Sequence, residues 1–259
     1  MEISLPGKVA LVTGGASGIG RAISQMLAES GARVAVADIN LDAAKEVAEM
    51  LGSGAIAIGM DVADEASVAA GFSACRDTLG PLDVLVSNAG IQIIGALDRF
   101  SFADWKRLMA VNLDGAFLTT REALRQMYPD RRGGSIIYIG SAHSHMASIL
   151  KAPYVTAKHG LIGLARAVAK EGGPYNVRSN VVSPALVMTP LIERQLPDLA
   201  RSLGISEDEA IKTQLSQGTV DGKTATAEDI ARIVLFLAAF PDGAMTGQYV
   251  NAGHGFVMP

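Results

Sequence analysis

Thr13-Gly14-Gly15-Ala16-Ser17-Gly18-Ile19-Gly20 follows the short apolar run Val9–Val12 and opens a helical pattern over Ile19–Ser30. A strand that feeds a helix through so glycine-rich a turn is the first half of a βαβ unit. Glycine at 14, 18 and 20 permits positive φ and lets the backbone approach a pyrophosphate, which then rests at the positive end of the helix. Gly14, Ser17, Gly18, Ile19 and Gly20 are the candidate contacts at this turn.

The same alternation continues along the chain. Further strand candidates are Val34–Ala37, Ala55–Ile58, Val84–Val86, Ile136–Ile139, Val177–Val182 and Gln248–Val250, and further helix candidates are Leu41–Leu51, Glu65–Leu79, Phe102–Met127, Pro153–Lys170 and Ala227–Phe240. Near-continuous apolarity in the strands predicts parallel strands covered on both faces, with the helices as cover. The expectation is an α/β fold, one doubly wound parallel sheet of Rossmann type spanning 1–259 as a single domain. The stretch 184–222 stands apart as long, strand-free and charged, with short helical patterns at Leu191–Leu196 and Glu207–Gln217. A segment of that size predicts a helical lid over a binding site.

Composition excludes several function classes. The 259 residues are 49% hydrophobic, enough for one large core. A net charge of −4 with no basic run argues against a nucleic-acid surface and leaves small molecules as the expected partners. Cys75 is the single cysteine, so an intramolecular disulfide and a thiolate metal cluster are excluded, and it reads as a packed, inert thiol. Nothing in the histidine and carboxylate spacing predicts a metal. His145, His159 and His254 read as surface or structural residues, and Phe102 and Trp105 as core or subunit packing. The first residues carry no export signature, and the longest apolar run, Ile233–Phe240, is far short of the roughly 18 residues that span a bilayer. A soluble cytoplasmic protein is expected.

Two further features carry chemistry. Asp38 ends the second strand, where a carboxylate can accept hydrogen bonds from both ribose hydroxyls of a dinucleotide and would repel a 2′-phosphate. Ile39 and Asn40 follow it, with no cation, which favours NAD over NADP. Tyr154 and Lys158 stand at i and i+4 of a helical pattern and so share a face. An ammonium beside a phenol lowers the tyrosine pKa and makes it a usable proton carrier at neutral pH.

Thr13-Gly14-x3-Gly18-x-Gly20, Asp61-Val62, Asn88-Ala89-Gly90, Asn112, Ser141, Tyr154-x3-Lys158 and Pro184-x4-Thr189-Pro190 occur in an order and spacing that resembles the short-chain dehydrogenases/reductases over essentially the whole chain. The resemblance implies a catalytic set of Asn112, Ser141, Tyr154 and Lys158. Tyr154 would exchange the proton, Ser141 would hold the substrate oxygen, Lys158 would lower the tyrosine pKa and meet the nicotinamide ribose, and Asn112 would position a water in a proton path. It further implies that Asp61 and Val62 contact adenine, that Asn88, Ala89 and Gly90 wall the cofactor cleft, and that Pro184, Val187 and Thr189 serve the nicotinamide. Ala185 replaces the family's usual glycine, and Val250-Asn251-Ala252-Gly253 differs from the usual Val-Asp-Gly-Gly, which puts the geometry of those loops in question.

Within that family, Ser141-Ala142-His143, Lys151-Ala152-Pro153-Tyr154, Ala89-Gly90-Ile91-Gln92 and Pro190-Leu191-Ile192-Glu193-Arg194-Gln195 are similar to the bacterial D-3-hydroxybutyrate dehydrogenases. By that resemblance Gln92, His143, Lys151 and Gln195 would bind a substrate carboxylate beside Ser141 and Tyr154, and the protein would form a homotetramer through the helices 102–127 and 153–170. Amide and cationic donors in a desolvated pocket suit a small carboxylate. Two alternatives stay open: another small hydroxy acid or a neutral secondary alcohol as substrate, or an NAD-binding regulatory protein without turnover.

Overall fold

The computed structural model describes residues 3–52, 54–215 and 219–258. Among these, seven parallel strands form one sheet: β1 (Val9–Thr13), β2 (Arg33–Asp38), β3 (Ala55–Gly59), β4 (Val84–Ser87), β5 (Gly134–Ile139), β6 (Val177–Pro184) and β7 (Tyr249–Ala252). Their order is β3-β2-β1-β4-β5-β6-β7. The chain runs outward from β1 in one direction, then returns to lay β4 on its other side, so the order reverses between β1 and β4. A crevice opens at the carboxyl ends of the strands at such a point.

Both faces of the sheet are dry. Alternate residues of β1 point to opposite sides, Ala10 and Val12 into one core and Val9 and Leu11 into the other. The first core is closed by α1 (Gly18–Glu29), α2 (Leu41–Leu51) and α9 (Ala227–Ala239), the second by α3 (Glu65–Leu79), α5 (Gly115–Met127) and α6 (Ala152–Gly172). Cys75 is buried in the second core, and desolvation pushes its thiol up to about 12. Several helix starts carry side-chain caps: the Asn40 side chain accepts from the Ala43 N–H at 3.1 Å, and Thr226 and Asp229 form a reciprocal capping box at α9.

Two elements differ from expectation. The single helix expected over 102–127 is α4 (Phe102–Met109) and α5 joined by a π turn at Ala110–Asp114. The extra residue in that turn is invisible to hydrophobic periodicity, and Asn112 lies within it. The pattern Leu191–Leu196 is the first half of a longer helix, α7 (Pro190–Leu203), which passes through Pro197. Proline removes one donor from that turn, but Leu199 and Ala200 beyond it are buried against Ala210 of α8 (Glu207–Leu215), and this packing carries the helix on. Gln217, the expected end of α8, lies outside the described residues, as does part of the expected lid. Phe102 is exposed rather than in the core.

Candidate active site

A cavity of about 930 Å³ opens at the switch point between β1 and β4. Thr13, the last residue of β1, locks its floor: its Oγ1 accepts from the N–H groups of Asn88 and Ala89 at 2.9 and 3.0 Å. The Asn88 amide in turn donates to the carbonyls of Thr13 and Gly14 at 2.9 and 3.1 Å. Gly14 and Gly18 hold φ of 60° and 50°, a region that side chains strain to enter. A Cβ on Gly20 would collide with the Gly14 carbonyl and the Asn88 amide. The glycines therefore leave a backbone-lined cradle at the N-terminus of α1, which fits the pyrophosphate of a dinucleotide in shape and polarity.

The rest of the expected cofactor set faces the same cavity. The Asp38 carboxylate accepts from Ala16 N–H at 3.2 Å and from Asn40 N–H at 3.0 Å, which fixes it at the tip of β2 and ties it to the glycine turn. Asp61 accepts from Ala63 N–H at 2.9 Å beside Val62. On the opposite wall Val187 is buried and Thr189 caps α7. The departure at Ala185 is accommodated: its Cβ occupies the space where a Cβ on Gly253 would stand, so the alanine depends on the glycine across from it.

Asn112, Ser141, Tyr154 and Lys158 converge on this cavity. The π turn carries Asn112 into the wall, where its buried amide donates to the carbonyls of Ile91 and Leu108 at 2.9 and 3.0 Å and its Oδ1 has no partner among the described residues. Gly90 permits this approach, since a Cβ there would lie 2.7 Å from that oxygen. Ser141 stands at the end of β5, and its Oγ accepts from His143 N–H at 3.2 Å, which directs the hydroxyl hydrogen away from that contact. Lys158 is buried, donates to the Ile139 carbonyl at 2.7 Å and lies 5.5 Å from the centre of the Tyr154 ring.

The expected lowering of the tyrosine pKa is not what this arrangement does by itself. Burial pushes the Tyr154 phenol up to about 12, offset in part by a hydrogen bond with Ser141, and burial pulls the Lys158 ammonium down to about 8. Desolvation is the leading cause at both groups.

Beyond Tyr154 lies a cluster of donors. Lys151 is 4% exposed, with its ammonium 3.4 Å from Nε2 of His143, and no carboxylate pairs with it among the described residues. Burial lowers Lys151 to about 8. Burial first, and the Lys151 charge second, lower His143 to about 4. Leu150, at φ 63°, is a bulky residue in the left-handed region, and the turn it makes delivers Lys151 to the start of α6. Gln92 lines the main cavity with a buried Nε2 that has no partner among the described residues. Gln195 does not line that cavity; it faces a small adjoining one of about 10 Å³ that Lys151 also lines. Sequence reasoning passed over Thr13 as a structural link and over the apolar walls Ile149, Leu186, Ile192 and Phe256. Thr13 was legible as part of the opening motif, but ordinary apolar residues carry no such signal. Among the described residues no group of three or more His, Cys, Asp and Glu side chains is placed to hold a metal, and no helix is long and apolar enough to cross a membrane.

A family model described as short chain dehydrogenase matches residues 8–200. The chain belongs to this family. Among relatives of this short-chain dehydrogenase, D-beta-hydroxybutyrate dehydrogenase of Rhizobium meliloti (strain 1021) is 36% identical over 96% of this chain and 98% of its own. The mitochondrial borneol dehydrogenase of Lavandula x intermedia is 38% identical over 94% of this chain and 88% of its own. Among solved structures, 3-ketoacyl-(acyl-carrier-protein) reductase from Brucella melitensis complexed with NADH superposes with a TM-score of 0.87 at 26% identity, covering 98% of this chain and 99% of that one. The chain is thus an oxidoreductase of this family.

Proposed function

We propose that this short-chain dehydrogenase interconverts (R)-3-hydroxybutyrate and acetoacetate with NAD(H) as cofactor. The observation that carries the substrate class is Lys151, a buried ammonium 3.4 Å from His143 with no acidic partner among the described residues, in the cavity that Gln92 also lines with an Nε2 unpartnered among those residues. A buried charge without a counter-ion is costly unless a ligand supplies the opposite charge. A carboxylate two carbons from a reacting hydroxyl supplies it, and held there it orients the hydroxyl carbon toward Tyr154. Closure of 184–222 as a lid would bring Gln195 to the same carboxylate. The fold and the NADH-bound relative support the cofactor, and Asp38 followed by Ile39 and Asn40 supports NAD.

Bound nicotinamide would supply or accept the hydride. Tyr154 carries its proton at neutral pH, the state that donates to a carbonyl oxygen, and Ser141 holds that oxygen with the hydrogen left free by the His143 N–H contact. Lys158, protonated below about 8, stabilises the phenolate that forms. Asn112 presents an open Oδ1 toward the proton path. Phe117 on α5 remains 49% exposed, which supports a homotetramer paired through α5 and α6; light scattering tests it. The function itself is tested by adding (R)-3-hydroxybutyrate to protein and NAD: NADH forms with the wild type and not with Tyr154→Phe, which still binds NADH.

A further inference from the structure

Ser144 lies three residues past the serine that faces the reacting oxygen. It is 2% exposed and lines neither the main cavity nor the small one beside it. Its Oγ accepts from Ser141 N–H at 3.1 Å, and its own N–H donates to the Ser141 carbonyl at 2.8 Å. With the Ser141 Oγ accepting from His143 N–H, the two serines form a reciprocal capping box on the 3-10 turn Ala142–Ser144. Such a box normally starts a helix; here it closes one turn at the tip of β5 and holds Ser141 in extended backbone, φ −167°.

The space beneath Ser144 is as constrained as its hydrogen bonds. A Cβ on Gly140 would lie 2.8 Å from Ser144 Oγ and 3.0 Å from Ser183 Oγ, so the two hydroxyls pack over that glycine. Ser183, at the end of β6, is buried and faces Nε2 of His145 at 3.4 Å, and the His145 ring rests on Tyr249 at 4.2 Å between centroids. The turn after β5, the end of β6 and the first residue of β7 are thereby linked. Direction of the Ser141 hydroxyl depends on the His143 N–H standing where it does, and that position depends on the turn Ser144 closes. Without the Ser144 oxygen the half-buried Ser141 N–H loses its side-chain acceptor.

We propose that Ser144 is a positioning residue, which fixes the orientation of Ser141 toward the substrate oxygen without touching substrate or cofactor itself. The proposal rests on Ser141 facing the reacting oxygen, which Ser141→Ala tests separately. In Ser144→Ala, kcat falls about tenfold, the loss expected for one mis-set hydrogen bond, while NADH affinity holds and the Ser141 amide of the cofactor-free protein exchanges with solvent at least about ten times faster. Ser144→Cys, which keeps a weaker acceptor of similar size, falls between it and wild type. In the Ser141→Ala background Ser144→Ala lowers kcat no further, since a residue that acts through another has nothing left to position. Wild-type kcat in Ser144→Ala, an unchanged amide exchange, or the same tenfold loss in the Ser141→Ala background would overturn it. Full turnover in Ser141→Ala alone would instead remove the role assigned to Ser141. If Ser144→Ala does not fold, the same three readings on Ser144→Cys decide the matter.

Discussion

The Lys151 ammonium stands 3.4 Å from Nε2 of His143, and the two nitrogens share that contact with no acid beside them among the described residues. His143, lowered to about 4, is neutral at pH 7. Its Nε2 can then accept from the ammonium only in the tautomer that carries its hydrogen on Nδ1. The histidine thus leaves the lysine positive charge uncancelled and aimed at the cavity, an arrangement that is unfavourable empty and favourable with an anion in place.

The first consequence is a trade between stability and binding. Holding Lys151 near 8 against an ordinary 10.5 corresponds to on the order of 3 kcal/mol of unfavourable burial at pH 7, a penalty present below pH 8 that fades as pH rises toward the unfolded value. Lys151→Met therefore raises the melting temperature by roughly 5 °C and raises KM for the hydroxy acid ~100-fold, the loss typical of one partner of a buried charge pair. KM for a neutral secondary alcohol stays within about twofold. Calorimetry and initial rates on the same preparation check both.

A pH series separates the two buried lysines. Lys151 must be protonated to receive a carboxylate, so KM for the acid is flat below about pH 8 and rises above it. Lys158 titrates in the same range but serves either substrate, so its loss moves kcat for acid and neutral alcohol together. An acid KM that stays flat to pH 9.5 would place the carboxylate elsewhere.

Cofactor choice rests on the tip of β2. Asp38 accepts from Ala16 N–H and stands before Ile39, which is 75% exposed. Replacing the pair, Asp38→Ser with Ile39→Arg, removes the repulsion and adds a cation where a 2′-phosphate would lie. NADP turnover rises at least ~10-fold in kcat/KM while NAD turnover falls.

The fold was legible because its determinants are local: each strand is a short apolar run, and the turn at Gly14–Gly20 announces the switch point. The spacing of Tyr154 and Lys158 placed those two on one helix face, whereas Asn112 and Ser141 entered the set only through the family resemblance. The π turn at Asn112 was not legible, since one added residue leaves the apolar stripe nearly unchanged. Helix α7 was cut short at Pro197, because propensity speaks before the packing of Leu199 and Ala200 is known. The phenol pKa was misjudged because spacing shows that Lys158 is near Tyr154 but not that both are desolvated. Ser144 gave no signal at all, since its role exists only through the turn it closes.

The departure at Ala185 is coupled to Gly253, which keeps the family's glycine. Gly253→Ala places a Cβ against that of Ala185 and lowers the melting temperature, while adding Ala185→Gly restores it. Thermal melts of the single and double variants check this, and additive losses would deny the contact.

The direct test of the acid clamp is the initial rate of NADH formation from NAD with (R)-3-hydroxybutyrate, (S)-3-hydroxybutyrate and 2-butanol, in wild type and in Lys151→Met. The arrangement of Lys151, His143 and Tyr154 predicts turnover of the hydroxy acid well above 2-butanol in wild type and its loss through KM in the variant, and the family resemblance predicts the (R)-enantiomer. Turnover of 2-butanol at a rate equal to or above the (R)-acid, unchanged by Lys151→Met, would contradict it.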